Sequence, residues 1–193
     1  MSDYSVEDIR NIALVGHAGS GKTTLIESLL HAAGAIQTPG EVEKGNTVAD
    51  DDPLERKHHH SLRSALVSVD HGGCHINLVD TPGYPDFVGH ALGALPAVET
   101  AAMVVDARTG IQTMTRRFAQ WTSQRKQCRM IVVNHIDAEG VDLEGLLAQI
   151  RENFGDECMA INLPAENRTK VVDCFFNPSG KSDFWSVEEA HTA

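Results

Sequence analysis

Short runs of apolar residues recur along the chain, and each is closed by residues typical of turns. Most contain valine, isoleucine or methionine without alternating polar residues, which is the pattern of strands buried on both faces. The runs predict strands over Asn11–Gly16, Ser64–Asp70, His75–Asp80, Thr100–Asp106 and Arg129–Asn134, and a sixth over Cys158–Leu163.

Between the apolar runs lie stretches with apolar residues at helical spacing. They predict helices over Lys22–Ala33, Asp86–Glu99 with an interruption at Pro96, Met114–Gln127 and Leu143–Asn153. Strands that alternate with helices are typical of an α/β fold, in which helices cover both faces of a mainly parallel sheet. The segment from Gly34 to Leu62 breaks this alternation, and a connection of that length is usually functional or disordered.

Composition and charge exclude several classes of protein. The 193 residues are 41% hydrophobic, which is typical of a globular chain of about one domain. A net charge of −11 argues against direct binding of nucleic acid by electrostatics. The spacing of the four cysteines does not suit a metal site, so we expect reduced thiols. The polar N-terminus and the lack of a long apolar stretch predict a cytoplasmic protein without a membrane span.

One glycine-rich motif carries the strongest chemical signal. Gly16-His17-Ala18-Gly19-Ser20-Gly21-Lys22-Thr23 fits G-x-x-x-x-G-K-[ST] and lies between a predicted strand and a predicted helix. Backbone N–H groups in such a loop point at a phosphate, and Lys22 adds a positive charge for the β- and γ-phosphates. The hydroxyl of Thr23 is expected to be a ligand for Mg²⁺, and Thr24 is expected to contact the α-phosphate.

A second motif, Asp80-Thr81-Pro82-Gly83, ends the predicted strand His75–Asp80 and has the form D-x-x-G. Asp80 is placed to hold Mg²⁺, through a water molecule. Gly83 has no Cβ, so its N–H group can approach the γ-phosphate closely.

A third motif, Asn134-His135-Ile136-Asp137, follows the strand Arg129–Asn134 and has the form N-x-x-D. The carboxylate of Asp137 can accept hydrogen bonds from N1–H and the 2-amino group of guanine, whereas adenine has no N1 donor. The alternative is a turn in which these residues cap the following helix.

With these three motifs in order, the chain resembles the GTPase domain of the translational GTPases, in particular the N-terminal part of elongation factor G and its divergent elongation-factor-G-like branch. The resemblance covers Glu7 to Phe176, and the segments that carry it are Asn11–His17, Asp80–Val88 and Ile161–Pro164. It implies a P-loop NTPase fold that is truncated, with a partial GTPase domain over residues 1–165 and the start of an insertion over residues 166–193. It also implies GTP or GDP and Mg²⁺ as ligands, GTP hydrolysis, and the ribosome as the partner of the full-length factor.

Several positions depart from the family pattern. In the family, a histidine follows D-T-P-G and orients the attacking water; here Tyr84 stands in its place. The phenol of Tyr84 is neutral at pH 7 but can still orient water by hydrogen bonding. The catalytic candidates are therefore Tyr84, Lys22 and Gly83. The alternative is that Tyr84 only packs. The residues His59-His60-Ser61 align with G-I-T of the family's R-G-I-T motif, whose threonine binds Mg²⁺. Ser61 is therefore the third candidate metal ligand. The adjacent histidines at 58–60 do not favour a metal site, because consecutive side chains point in different directions.

The guanine-reading motif also departs from the family, since His135 replaces the lysine of N-K-x-D. In the phosphate loop, Gly19 stands where the family usually has an aspartate. The late S-A motif that reads guanine is not visible after Asp137. We expect nucleotide binding to survive these changes. Two other functions stay open: a guanine-nucleotide-binding module that does not hydrolyse GTP, and a P-loop ATPase with a coincidental N-x-x-D.

Overall fold

The computed structural model describes residues 4–49, 52–58, 60–156, 158–176 and 182–183. Its strands are β1 (Ile9–Val15), β2 (Ala65–His71), β3 (Cys74–Asp80), β4 (Thr100–Asp106), β5 (Cys128–Asn134), β6 (Asn162–Ala165) and β7 (Lys170–Asp173). Its α-helices are α1 (Lys22–Ala32), α2 (Pro53–His58), α3 (Val88–Ala94), α4 (Thr113–Gln124) and α5 (Leu143–Phe154). Short 3₁₀ turns cover Val6–Asp8, Val42–Lys44, Pro85–Phe87 and Leu95–Ala97.

Strands β1 to β5 form one sheet in the order β2-β3-β1-β4-β5. Strand β1 runs parallel to both β3 and β4, and β2 pairs antiparallel with β3. This mainly parallel sheet with intervening helices confirms the predicted P-loop α/β fold class. Because β1 and β3 are parallel and pair Leu14 with Asp80, their carboxyl ends lie at the same edge of the sheet, where such folds bind their ligands.

The chain forms two compact units, the first comprising Met1–Val105 and Gln112–Val132 and the second Asp106–Ile111 and Val133–Ala193. In the first unit, Ile26 and Leu30 of α1 pack on the sheet. Consecutive residues of β1 are buried, which requires that both of its faces be covered and explains its unbroken apolar sequence. In the second unit, α5 buries Leu143, Leu146, Ile150 and Phe154. A domain boundary at residue 165 stays a prediction.

The β6–β7 hairpin corrects one predicted strand. The prediction of a strand over Cys158–Leu163 is wrong for its first part, because β6 begins only at Asn162. Asn162 is the first residue of β6 to pair with β7, opposite Asp173, so the hairpin partner sets where the strand starts. Strand β7 itself, Lys170–Asp173, was not predicted.

Two helices also differ from the sequence prediction. The expected helix over Asp86–Glu99 is α-helical only over Val88–Ala94, and 3₁₀ turns flank it, the second of which contains Pro96. The long Gly34–Leu62 segment contains the unpredicted helix α2. His59, residues 177–181 and residues 184–193 of the predicted insertion lie outside the described residues. Within the described ranges, no helix combines the length and apolar character needed to cross a membrane.

Candidate nucleotide-binding site

The loop from Gly16 to Gly21, here called the phosphate loop, joins the end of β1 to the start of α1. A Cβ atom on Gly16 would lie 2.5 Å from the carbonyl oxygen of Val104 in β4, so only glycine lets the chain leave the sheet at this point. Gly21 has a φ of 87° and directly precedes the first helical residue, Lys22. The two outer glycines of the motif therefore stand where the backbone needs them.

Lys22 directs its ammonium group into the phosphate loop. Its Nζ donates hydrogen bonds to the carbonyl oxygens of Gly16 and His17, over 3.3 and 3.0 Å. Burial lowers the pKa of Lys22 to about 8, and the nearby charge of Asp80 opposes part of that shift. Burial and the charge of Lys22 also lower the pKa of His17. A phosphate group at this loop would add negative charge beside the buried ammonium and raise its pKa.

The remaining predicted residues of the loop differ in exposure. Ser20 is buried, Ala18 is half-buried, and Gly19 and Thr24 are exposed. Gly19 has a φ of 77°, and a Cβ atom there would meet nothing within 4 Å. The family's aspartate at this position would thus find space but would have to adopt the left-handed backbone region, which costs free energy for residues other than glycine.

Thr23 and Asp80 bring a hydroxyl and a carboxylate together at the carboxyl edge of the sheet. The Thr23 hydroxyl donates to Oδ2 of Asp80 over 2.6 Å, and Asp80 is only 1% exposed. Hard oxygen atoms of these two kinds are the ligands that Mg²⁺ prefers. The donor set of this pair thus fits magnesium. Within the described residues, no cluster of three His, Cys, Asp or Glu side chains is arranged to hold a metal ion.

The D-x-x-G segment packs directly against the phosphate loop. The Thr81 hydroxyl donates to the carbonyl oxygen of Leu14 over 2.6 Å, and Thr81 and Pro82 are buried. A Cβ atom on Gly83 would lie 2.5 Å from the backbone nitrogen of Ala18 and 2.7 Å from Nζ of Lys22. Only glycine fits there, and its position beside Lys22 brings the two motifs into one site.

Tyr84, the residue after this glycine, is 42% exposed and contacts a histidine from another segment. Its ring centroid lies 4.9 Å from that of His60, with the rings inclined at 62°. The His60 ring also lies 6.2 Å from that of Phe87 at 30°. Sequence reasoning missed this contact, because it treated Tyr84 alone and considered His60 only as part of a histidine run.

A buried carboxylate on α1 holds the first part of the long segment. Glu27 is 0% exposed, and its two carboxylate oxygens accept hydrogen bonds from the backbone N–H groups of Gly40 and Val48 over 2.7 and 2.6 Å. The sequence contains one signal for this contact, because Glu27 is an acidic residue beside Ile26 and Leu30 on the apolar face of a predicted helix.

A second buried carboxylate holds the end of the same segment. Oε1 of Glu55, in α2, accepts hydrogen bonds from the N–H groups of Leu62 and Arg63 over 2.7 and 3.0 Å. The Arg63 side chain also pairs with Asp52, which precedes α2. Ser61, the third candidate metal ligand, is half-buried and directly precedes Leu62. Its role at a metal ion stays a prediction.

The N-x-x-D motif lies in the second unit. Asn134 Oδ1 accepts a hydrogen bond from the N–H group of His135 over 3.0 Å, and the Asn134 carbonyl oxygen accepts one from Ala107 over 2.9 Å. His135 has a φ of 56°. Asp137 is exposed, so its carboxylate is accessible to a ligand.

Asp106 connects the neighbourhood of His135 to an arginine. Arg108 donates to both carboxylate oxygens of Asp106, with distances between 2.6 and 3.1 Å, and these bonds hold the pKa of Asp106 below its usual value. Nδ1 of His135 lies 3.3 Å from Oδ2 of the same carboxylate without the alignment of a hydrogen bond. The histidine that replaces the family's lysine thus faces an acidic group that is already paired.

Comparison with known families identifies the class of domain to which this geometry corresponds. The model of the elongation factor Tu GTP binding domain matches residues 7–187. An elongation factor G-like protein of Mycobacterium tuberculosis is 39% identical over 157 residues, which cover 81% of this chain and 22% of that protein. Elongation factor G 2 of Streptomyces coelicolor is 34% identical over 168 residues, which cover 86% of this chain and 24% of that protein.

Other matches agree with these. The tetracycline resistance protein TetW of Butyrivibrio fibrisolvens is 39% identical over 146 residues, covering 76% of this chain and 23% of that protein. A crystal structure of a Thermus thermophilus protein superposes with a TM-score of 0.82 at 39% identity and covers 88% of this chain and 26% of that one. The chain thus spans about a quarter of the length of these relatives.

Proposed function

Because the chain belongs to the family of the elongation factor Tu GTP binding domain and is similar to elongation-factor-G-like factors, we propose that it is a Mg²⁺-dependent GTPase that alternates between GTP- and GDP-bound states. The observation that carries the proposal is the packing of Gly83 against the phosphate loop, where its Cβ position would lie 2.7 Å from Nζ of Lys22. This packing supports the proposal, because it lets Lys22 and the N–H group of Gly83 contact the same γ-phosphate.

The phosphate loop binds the nucleotide phosphates in this proposal. Its backbone N–H groups and the start of α1 face the phosphate oxygens, and the Lys22 ammonium exchanges its carbonyl partners for the β- and γ-phosphates. Thr23, Asp80 and Ser61 would hold Mg²⁺, which neutralises charge on the transferred phosphoryl group when bound. Asp80 would act through a water molecule.

Hydrolysis requires a water molecule aligned with the γ-phosphate. Phosphoryl transfer depends mainly on positioning and electrostatics, so the hydroxyl of Tyr84 can serve by hydrogen bonding to that water. Gly83 donates its N–H group to the γ-phosphate, and Lys22 stabilises the negative charge. Tyr84, Lys22 and Gly83 are therefore the proposed catalytic residues.

Selectivity for guanine is assigned to the N-x-x-D motif. The exposed carboxylate of Asp137 accepts from the guanine N1–H and 2-amino groups, while Asn134 and His135 shape the turn that presents it. If the domain were a P-loop ATPase, it would have to recognise the adenine base without this carboxylate. Competition between GTP and ATP separates the two.

The full-length factor is proposed to act on the ribosome in the cytoplasm, as the resemblance to elongation factor G implies. The net charge of −11 disfavours direct contact of these residues with nucleic acid. The nucleotide state would then control the partner through the segment that ends at Leu62 and the segment that follows Asp80.

A second candidate function is a module that binds guanine nucleotide but hydrolyses nothing. It is favoured by Tyr84 in place of the catalytic histidine and by His135 in place of the lysine. Phosphate release from bound GTP distinguishes this module from the GTPase.

The test is calorimetric titration of GDP, GTP and ATP into the chain with and without Mg²⁺, followed by measurement of phosphate release. We expect guanine-selective binding and turnover that Lys22→Ala abolishes, whereas the matched control Lys44→Ala, at an exposed position, leaves both unchanged. Equal affinity for ATP would refute guanine selectivity, and binding without turnover would establish the second function.

A further inference from the structure

His60 and Tyr84 come from two different segments, and their rings are in contact next to Gly83, which packs against the phosphate loop. The two ring centroids lie 4.9 Å apart in an edge-to-face arrangement, and the centroid of Phe87 lies 6.2 Å from that of His60. Tyr84 nevertheless keeps 42% of its surface exposed. The contact thus fixes the two rings relative to each other without burying Tyr84.

The backbone of each partner is held close by. Tyr84 directly follows Gly83, whose packing against Ala18 and Lys22 leaves no room for a side chain. His60 lies two residues before Leu62, whose N–H group is bonded to the buried carboxylate of Glu55. Both rings are therefore carried by short, fixed stretches of chain, which is the condition for holding a reacting water.

Ring packing alone does not require the nitrogens of an imidazole. An edge-to-face aromatic contact is stabilised equally well by phenylalanine, whereas a neutral imidazole adds one hydrogen-bond donor and one acceptor. A phenol provides a single hydroxyl. The pair together offers the hydrogen-bonding groups that a histidine after D-T-P-G would supply alone.

We propose that His60 is a catalytic residue, and that its imidazole, held against Tyr84, shares with the Tyr84 hydroxyl the orientation of the attacking water. This inference rests on the proposed GTP hydrolysis. In that reaction the water oxygen bonds to the γ-phosphorus, the bond to the β–γ bridging oxygen breaks, its electron pair leaves with GDP, and the water proton passes to the released phosphate. His60 holds the water and does not retain a proton.

The test compares kcat and KM for phosphate release in the 193-residue chain with Mg²⁺ and GTP. His60→Phe keeps the aromatic contact and removes the nitrogens, so we expect kcat to fall about 10- to 100-fold with KM unchanged. The double variant His60→Phe/Tyr84→His returns an imidazole to the ring pair and is expected to recover at least half of that loss on a logarithmic scale. His71→Phe, the same substitution on the exposed end of β2, is the matched control and keeps the original kcat.

A His60→Phe chain that keeps the original kcat would show that only ring packing matters and would overturn this inference, while leaving the proposed hydrolysis intact. An original chain that binds GTP but releases no more phosphate than Lys22→Ala would overturn both. If phenylalanine prevents folding, His60→Gln replaces it, because the amide keeps a donor and an acceptor. That variant is expected to retain more turnover than His60→Leu, and equal kcat values in the two variants would contradict the proposal.

Discussion

The Thr23 hydroxyl donates a hydrogen bond to Oδ2 of Asp80 over 2.6 Å, although 57 positions separate the two residues in the sequence. The pair exists because parallel β1 and β3 end at the same edge of the sheet, with α1 beginning just beyond β1. A hydroxyl has lone pairs besides its proton, so Thr23 can offer oxygen to a cation while it still donates to Asp80. We therefore expect a magnesium ion held by Thr23, with Asp80 acting through a water molecule, to leave the Thr23–Asp80 hydrogen bond in place.

Removal of the Thr23 hydroxyl should separate nucleotide binding from its dependence on magnesium. We expect Mg²⁺ to raise the GTP affinity of the original chain, and we expect this increase to be at least about tenfold smaller in Thr23→Ala, a difference of about 1.4 kcal/mol. Thr23→Ser keeps the hydroxyl and serves as the control. Calorimetric titration of GTP with and without Mg²⁺ measures the effect, and an unchanged Mg²⁺ dependence in Thr23→Ala would exclude the residue as a ligand.

The pKa of Lys22, lowered to about 8 by burial, predicts that phosphate affinity depends on pH. Below pH 8 the ammonium is charged and ready to bind, whereas above it a proton must be taken up before the phosphates are engaged. GDP affinity should accordingly fall about fourfold between pH 7 and pH 8.5, with proton uptake at the higher pH. Titrations in buffers of different ionisation enthalpy measure that uptake. Constant affinity without uptake over this range would contradict the assignment.

The close approach of Gly83 to the phosphate loop predicts a large difference between two glycines. In Gly83→Ala the new methyl group would lie 2.5 Å from the nitrogen of Ala18, so we expect a loss of about 1–3 kcal/mol in unfolding free energy and weaker GTP binding. Gly89, in α3, meets nothing within 4 Å. Gly89→Ala should therefore stabilise the chain by up to about 1 kcal/mol through helix propensity.

Urea denaturation and GTP titration of both glycine variants test this pair. If Gly83→Ala bound GTP as tightly as Gly89→Ala, the two motifs would not have to touch for nucleotide binding.

The buried carboxylate of Glu27 predicts that even the nearly isosteric substitution Glu27→Gln lowers the free energy of unfolding. Glu27→Gln leaves one acceptor oxygen for two N–H groups and turns an amide donor toward the other, so unfolding free energy should fall by about 1–3 kcal/mol. The amide protons of Gly40 and Val48 should also exchange faster with solvent. Glu43→Gln, at an exposed position, is the matched control. Equal stability of the two variants would mean that the buried carboxylate does not hold this segment.

Much of the fold could be predicted from local sequence. The strand Thr100–Asp106 has the predicted bounds, because it is an apolar run whose consecutive residues are buried, and β1, β3 and β5 deviate by one or two residues at their ends. Helix α2 could have been found as well. It starts with Pro53, and Oδ1 of the preceding Asp52 accepts from the N–H group of Leu54 over 2.8 Å, as a helix start requires.

Only part of the candidate site could be predicted from local sequence. The phosphate loop and D-x-x-G are continuous motifs, and the sequence alone suggested their roles. The contact of His60 with Tyr84 and the bond from Val48 to Glu27 depend on chain segments that approach only in the folded state. No spacing rule contains such information, since neither pair lies within one element.

The bonds to Glu27 and Glu55 also have an entropic consequence. They hold the chain at Val48 and at Leu62. A loop whose ends are already fixed loses less conformational entropy when it rearranges around a ligand than one that must first be closed. We therefore expect the affinity for the proposed nucleotide to depend on these two carboxylates, and releasing either of them should weaken binding although neither belongs to the phosphate loop.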